Sequence, residues 1–345
     1  MKLGILPSLF VAALLMGLSS GPASAATCTP TGFFRDTFNM TAAMINPGDV
    51  SGEVDATGCN IGIYYDASGS GGTVDSANVH GANYFGVAVN GDAGATSVEV
   101  TNSSVHDIGE TPLNGTQHGV AIYYRACTAS GSATGTVSGD TVFNYQKGGI
   151  VVSCSGAGVS IGGNTVTGQG PVNYIAQNGI QVGYGAAGQV MKNTVTGNSY
   201  SGTNGASSAG ILIYGGCGNP LTTGIQIVKN TLGSPTPADG NDIGVALFNA
   251  DPTCSGPPSL STNNKVINNK ITNEELTNVS GNAPGVGGYQ AGIQDVGVND
   301  KLINNTIDGL GYTPNNCGST TMTSICAIDT SAASKAKLHA NAVTP

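Results

Sequence analysis

Residues 148–200 contain one unit twice. The first copy reads GGIVVSCSGAGVSIGGNTVTGQG, from Gly148 to Gly170, and the second reads NGIQVGYGAAGQVMKNTVTGNSY, from Asn178 to Tyr200. Each opens on Gly, Ile and a second apolar residue (Gly149-Ile150-Val152; Gly179-Ile180-Val182). Each closes on Asn-Thr-Val-Thr-Gly, at Asn164–Gly168 and Asn193–Gly197. Short runs of β-branched residues that alternate between turns, repeating about every 30 residues, cannot bury their apolar side alone. Such units must stack on one another.

The Gly-[Ile/Val]-x-apolar opening recurs at Gly62, Gly86, Gly119, Gly149, Gly179, Gly210, Gly244 and Gly292, spaced 24, 33, 30, 30, 31, 34 and 48 residues apart. In the last copy Asp295 takes the second apolar place. Second strands (Val98–Val100, Val159–Ile161, Ile225–Val228, Val266–Asn268) and third strands (Ser104–His106, Thr165–Thr167, Thr194–Thr196, Thr306–Asp308) follow the openings. Period-2 alternation over four or five residues means short strands with one side inward. Three such strands per repeat, with no helical periodicity, predict one turn of a parallel β-solenoid.

A polar column accompanies the apolar one: Asp140, Asn164, Asn193, Asn230, Asn269 and Asn305 each stand two residues before a third-strand apolar anchor. Stacking turns this column into a ladder in which each amide donates to the next while serving a bend in left-handed geometry. His80 and His106 hold one place on consecutive turns and should stack about one strand spacing apart, ~5 Å. Two histidines beside Asp107 are too few to assign a metal.

Eight cysteines follow the N-terminal segment, none in C-x-x-C or with a histidine at zinc spacing. An even count after an export leader points to disulfides. Stacked turns place Cys127 near Cys154 and Cys217 near Cys254; Cys28–Cys59 and Cys317–Cys326 are expected at the two ends. The leader reading rests on Lys2, the apolar run Leu9–Leu18 and the small-residue site Ala23-Ser24-Ala25. It assigns residues 1–25 to a signal peptide and predicts a secreted, extracellular protein without membrane insertion, since that run is about half of the ~20 residues a spanning helix needs. Residues 26–49 are expected to be an N-terminal cap, 50–311 the solenoid, and 312–345 a C-terminal cap and tail, with a short helix or frayed end over Ser331–Asn341. Loops Asp251–Asn264 and Asn273–Gly288 are insertions between the Gly244 and Gly292 openings.

The openings and the Asn-Thr-Val-Thr-Gly turns resemble the right-handed parallel β-helix of the pectate-lyase-like superfamily over Val50–Leu310. That resemblance implies an all-β, single-stranded right-handed parallel β-helix of about eight or nine turns. It also implies a polysaccharide or glycan as partner. This fold hosts lyases, hydrolases, epimerases and non-enzymatic surface proteins, so the architecture does not choose among them. The Arg-x-Pro-x-x-Arg stretch of pectate lyases, the polygalacturonase motifs (beyond Gln117-His118-Gly119) and the Asp-Pro-His-Asp of mannuronan epimerases are absent.

Residues that face outward supply the candidate chemistry. Tyr64, Tyr84, Tyr123, Tyr214 and Phe248 would offer flat faces for sugar rings, or else pack beneath loops as a second core. Arg125 and Lys147 are the basic pair that adjacent turns could bring together. A lyase would use one of them as base with Tyr124 as acid; a solvated or loop-bound role is the plainer reading of Arg125. No metal site is assigned, although Asp66, Asp140 and Asp251 could recruit calcium. With 20 acidic against 11 basic residues and a net charge of −9, the chain as a whole does not attract nucleic acid. Two functions stay open: a carbohydrate-binding protein acting through an aromatic and polar flank, or a polysaccharide lyase or glycoside hydrolase.

Overall fold

The computed structural model describes residues 27–35, 37–202, 206–234, 240–272, 290–308 and 325–344. The expected signal peptide, Cys317 of the expected Cys317–Cys326 pair and the Asn273–Gly288 loop lie outside them. Within them the chain is a parallel β-helix made of an 11-stranded sheet, here sheet A, and an 18-stranded sheet, sheet B, which bends at the polar column. From Phe85 onward each turn lays one strand on sheet A and two on sheet B; in the turn before, the single strand Gly72–His80 spans both sheet B places.

The interior is built by register. Ile63, Val87, Ile122, Ile150, Ile180, Ile211, Val245 and Ile293 pair strand to strand in one file, and each is fully buried. A like side chain sits above and below each one, so burial repeats with every rung and favours the fold at ~25 cal/mol per Å² of apolar surface. The opening glycines precede this file because a Cβ there would strike the next rung: 2.5 Å from the Gly86 carbonyl oxygen at Gly62, and 2.5 Å from that of Gly179 at Gly149.

One repeat is framed differently from its sequence reading. Gly119 does not open the third unit; its φ of 86° makes it the end of a loop. Val120 pairs with Phe85 and Gly148 on the outer side, so Ile122 and Tyr124 occupy the two interior places.

The ladder forms as expected. The Asn164 backbone N–H and side-chain amide both donate to Asn193 Oδ1, at 3.0 and 2.9 Å. Asn193 repeats both bonds to Asn230, Asn230 to Asn269, Asn269 to Asn305, and Asn305 to Asn341. The second amide hydrogen reaches back to a carbonyl of the preceding turn, as from Asn193 to Ile161 at 3.2 Å. The residue before each rung takes left-handed geometry: Gly163, Lys192, Lys229, Asn268 and Asn304 have φ between 53° and 72°.

Asp140 holds the rung before Asn164. Its Oδ1 accepts from the Ser103 N–H at 2.8 Å, while its buried Oδ2 has no partner. In every later rung that second atom is an amide nitrogen donating to an acceptor. A carboxyl can do the same only while protonated, and burial pushes its pKa up to about 7. Asp295 and Asp300 are a second buried acidic pair. Asp295 stands in the interior file opposite Leu247, and both pKa values are raised, first by burial, with the Asp300 charge adding to the shift of Asp295.

Three disulfides join Cys28–Cys59, Cys127–Cys154 and Cys217–Cys254 with Cα separations of 5.3, 4.9 and 4.8 Å, matching the pairing expected from stacking. His80 and His106 stack with ring centroids 5.3 Å apart, and Phe143 continues the stack at 4.6 Å.

Both ends enter the coil. Thr29–Arg35 and Phe38–Ile45 form an antiparallel hairpin whose second strand runs parallel to Ile61–Asp66 as a rung of sheet A. Past Gly311, where the repeat should stop, Ile325–Asp329, Lys337–His339 and Ala342–Thr344 each pair in parallel with the turn before. The second of these strands occupies the stretch expected to be helix or frayed tail, and the third follows it. Register supplied by the preceding rung substitutes for the missing local signal.

Replacing Asn193 by Ala strands the two Asn164 donors and the Ile161 acceptor. We expect destabilisation of about 1–3 kcal/mol in denaturant titration. Asp140→Asn should change the pH dependence of stability. The folded carboxyl holds its proton more tightly than the unfolded one, so its contribution is complete below about pH 4 and is lost as pH rises through about 7. The variant should therefore raise Tm more at pH 8 than at pH 4; equal shifts at both would contradict this.

Candidate functional site

The outer face of sheet A is covered at its start, opens at a cleft, and is buried again at Ala209, Ile243 and Ala246. The N-terminal hairpin curls over the first rungs and lays Phe33 against Tyr64 and Phe85, with ring centroids 6.1 and 6.4 Å apart. Arg125 pins it: the guanidinium lies 5.2 Å over the Phe33 ring, and Nη2 pairs with Asp92 Oδ2 at 2.7 Å. Arg35, near the hairpin tip, lies 5.7 Å over Phe85. A cleft of about 430 Å³ opens where the hairpin's cover ends.

The floor is one outer file, Tyr123–Val151–Gln181–Leu212, aligned by the same register that stacks the core. Tyr184 and Tyr214, with ring centroids 5.1 Å apart, form one wall, and Phe248 stacks behind Tyr214 at 5.8 Å with its ring nearly parallel. Arg35, Gln117 and Lys147 line the other sides. No carboxylate is among the lining side chains, so a cationic cleft sits on an acidic protein. The Lys147 ammonium donates to the Ala176 carbonyl at 2.7 Å, and burial draws its pKa down to about 8.

The expected site residues divide. Lys147, Tyr123 and Tyr214 line the cleft, with Phe248 behind them. Tyr84 is half-buried outside it, its ring 3.8 Å from that of His118. Tyr64 is buried under Phe33, and its hydroxyl accepts from Asn90 at 3.0 Å. Tyr124 projects into the interior, where its hydroxyl donates to the Val98 carbonyl at 2.7 Å and burial raises its pKa. That corrects its reading as an acid: one step along a strand moves a side chain to the other face. Arg125 is not poised as a base, since it is ion-paired and holds the hairpin. Tyr184 joins the lining as a tyrosine at an outward or turn position, whereas Arg35, Gln181 and Leu212 were not expected, although Gln181 and Leu212 sit at the outward places of their openings (Ile180-Gln181-Val182; Ile211-Leu212-Ile213).

The carboxylates considered for calcium lie apart and serve their own turns. Asp66 accepts from Asn46 and Ser68, Asp251 accepts from Thr253 and Ser255, and Asp140 belongs to the ladder. Among the described residues no group of three or more His, Cys, Asp or Glu side chains could hold a metal ion.

A family model described as right handed beta helix region matches residues 52–232, just over half of the chain. The chain belongs to this family. No curated protein matches it. One solved structure that resembles it is a DFA-IIIase mutant from Arthrobacter chlorophenolicus A6. It is 12% identical, the match covers 86% of this chain and 68% of that one, and the TM-score is 0.36. At that level neither activity nor residues carry over from that enzyme.

Losing Arg125 should loosen the hairpin that bounds the cleft. Arg125→Ala is expected to speed amide exchange in residues 29–45 while leaving the exchange of residues 148–200 unchanged. Uniform protection in both segments would contradict the pinning role.

Proposed function

We propose that this protein is secreted and binds an extracellular polysaccharide or cell-wall glycan in the cleft on the outer face of sheet A. The observation that carries this reading is the lining: aromatic faces from Tyr123, Tyr184 and Tyr214 converge on amides from Asn178 and Gln181. Aromatic faces take the C–H faces of sugar rings, and amides satisfy hydroxyls. The three disulfides suit an oxidising compartment, and no helix among the described residues is long and apolar enough to cross a membrane. Screening on a polysaccharide panel should yield a ligand whose affinity falls at least tenfold in Tyr123→Ala/Tyr214→Ala, roughly 1.4 kcal/mol or more. Unchanged affinity across the panel would overturn the reading.

A second reading, a polysaccharide lyase, is favoured by Lys147. Its pKa of about 8 lets a neutral amine form in mildly alkaline solution and take a proton from the carbon beside a sugar carboxylate. Arg35 would then offset the carboxylate charge. Two-carboxylate glycoside hydrolysis gains no support, because the lining holds no Asp or Glu. For the lyase we expect absorbance at ~235 nm to grow on a uronate polymer, faster as pH rises through about 8, and to vanish in Lys147→Met.

A further inference from the structure

Register also orders the exposed charges of sheet B. Lys265, Lys301 and Lys337 are directly paired on three successive strands, one lysine above the next. The file continues upward through Gln226, while Lys229 and Lys192 stand at the corner of the two preceding turns. Five consecutive turns thus each present a lysine: Lys265, Lys301 and Lys337 lie one strand spacing of ~4.8 Å apart in one file, and Lys229 and Lys192 stand beside that file, three residues further along their turns. All five are half-buried or exposed, and none is ion-paired with another described residue. On the described strands of these turns, Asp308 is the exposed carboxylate. Stacked like charges repel, and Lys192 and Lys229 stand in left-handed backbone geometry that lysine disfavours. The arrangement is poor for the free protein and suited to a linear anion.

We infer that this lysine file is a binding track for an acidic polysaccharide lying along the solenoid axis, separate from the sheet A cleft. An extended uronate chain carries one carboxylate on every sugar, so one laid along the axis presents carboxylates at regular intervals to the ~4.8 Å step of the lysine file. Duplex nucleic acid has phosphates every ~3.4 Å along each strand and does not match that step. Single-stranded nucleic acid is held by aromatic platforms as well as cations. Strands Gln226–Val228, Lys265–Ile267, Lys301–Ile303 and Lys337–His339 carry no Phe, Tyr or Trp.

The test compares polygalacturonate, its fully methyl-esterified and uncharged form, and oligo-dT by titration of the full chain at two salt concentrations. Polygalacturonate should bind, weaken as salt rises, and exceed both other probes. Lys265→Gln/Lys301→Gln/Lys337→Gln should lose at least tenfold in affinity and flatten the salt dependence, while the corresponding arginine triple retains both. Tyr123→Ala/Tyr214→Ala in the cleft should keep the salt-sensitive binding, so failure of the cleft reading and of this one are distinguishable. Unchanged binding in the glutamine triple, equal binding of the esterified polymer, or tighter binding of oligo-dT would each overturn the track.

Discussion

Every rung of this coil lies one strand spacing from the next, in parallel and in register, so each residue meets its own counterpart above and below. Apolar side chains gain from that arrangement without limit of length. Amides gain almost as much, since asparagine carries both a donor and an acceptor and can bond to a copy of itself. Carboxylates and ammonium groups lose, because like charges are stacked. The interior isoleucines and valines, the Asn164–Asn341 ladder and the scarcity of charge in the chain all follow from this one constraint.

The exceptions to the rule are the informative residues. Asp140 replaces an amide in the ladder and must keep its proton to complete the pattern. Asp295 interrupts an interior file and lies beside Asp300. Buried acids of this kind are most stable when neutral, so they bias the fold toward acidic surroundings. The lysines of sheet B break the rule on the outside, where solvent and a counter-charge can reach them.

The cleft is made by incomplete coverage. A β-helix of this kind has a long outer face, and the hairpin seals its first rungs with Phe33, Met40 and Ala42. Beyond Arg35 the same face opens into the cleft, before Ala209, Ile243 and Ala246 are buried again further along. Its aromatic and amide side chains stay aligned because the backbone beneath them is held by register. Arg125 contributes at a distance, by fixing the hairpin that bounds the opening.

The repeat was legible in residues 148–200 because burial of one strand face writes a period of two, and stacking writes a period of about 30. The ladder and the disulfides could be read for the same reason, since equal positions on adjacent turns must meet. Gly119 misled the framing because its left-handed φ serves a loop, whereas the other opening glycines answer a steric contact, and both needs select the same residue. That shift of two set Tyr124 beyond the expected interior places of its opening, Val120 and Ile122, whereas it holds the second of the two interior places. The cleft was only partly legible: Lys147, Tyr123 and Tyr214 follow from outward alternation, but Arg35 reaches it from a hairpin with no repeat to place it. The sequence by itself determined the coil, its inner files and the Cys127–Cys154 and Cys217–Cys254 pairs, all of which depend on spacing along the chain. Tertiary structure alone decided where the outer face is covered, which tyrosines remain reachable and which cations are already paired, because those depend on how a segment outside the repeat folds across it.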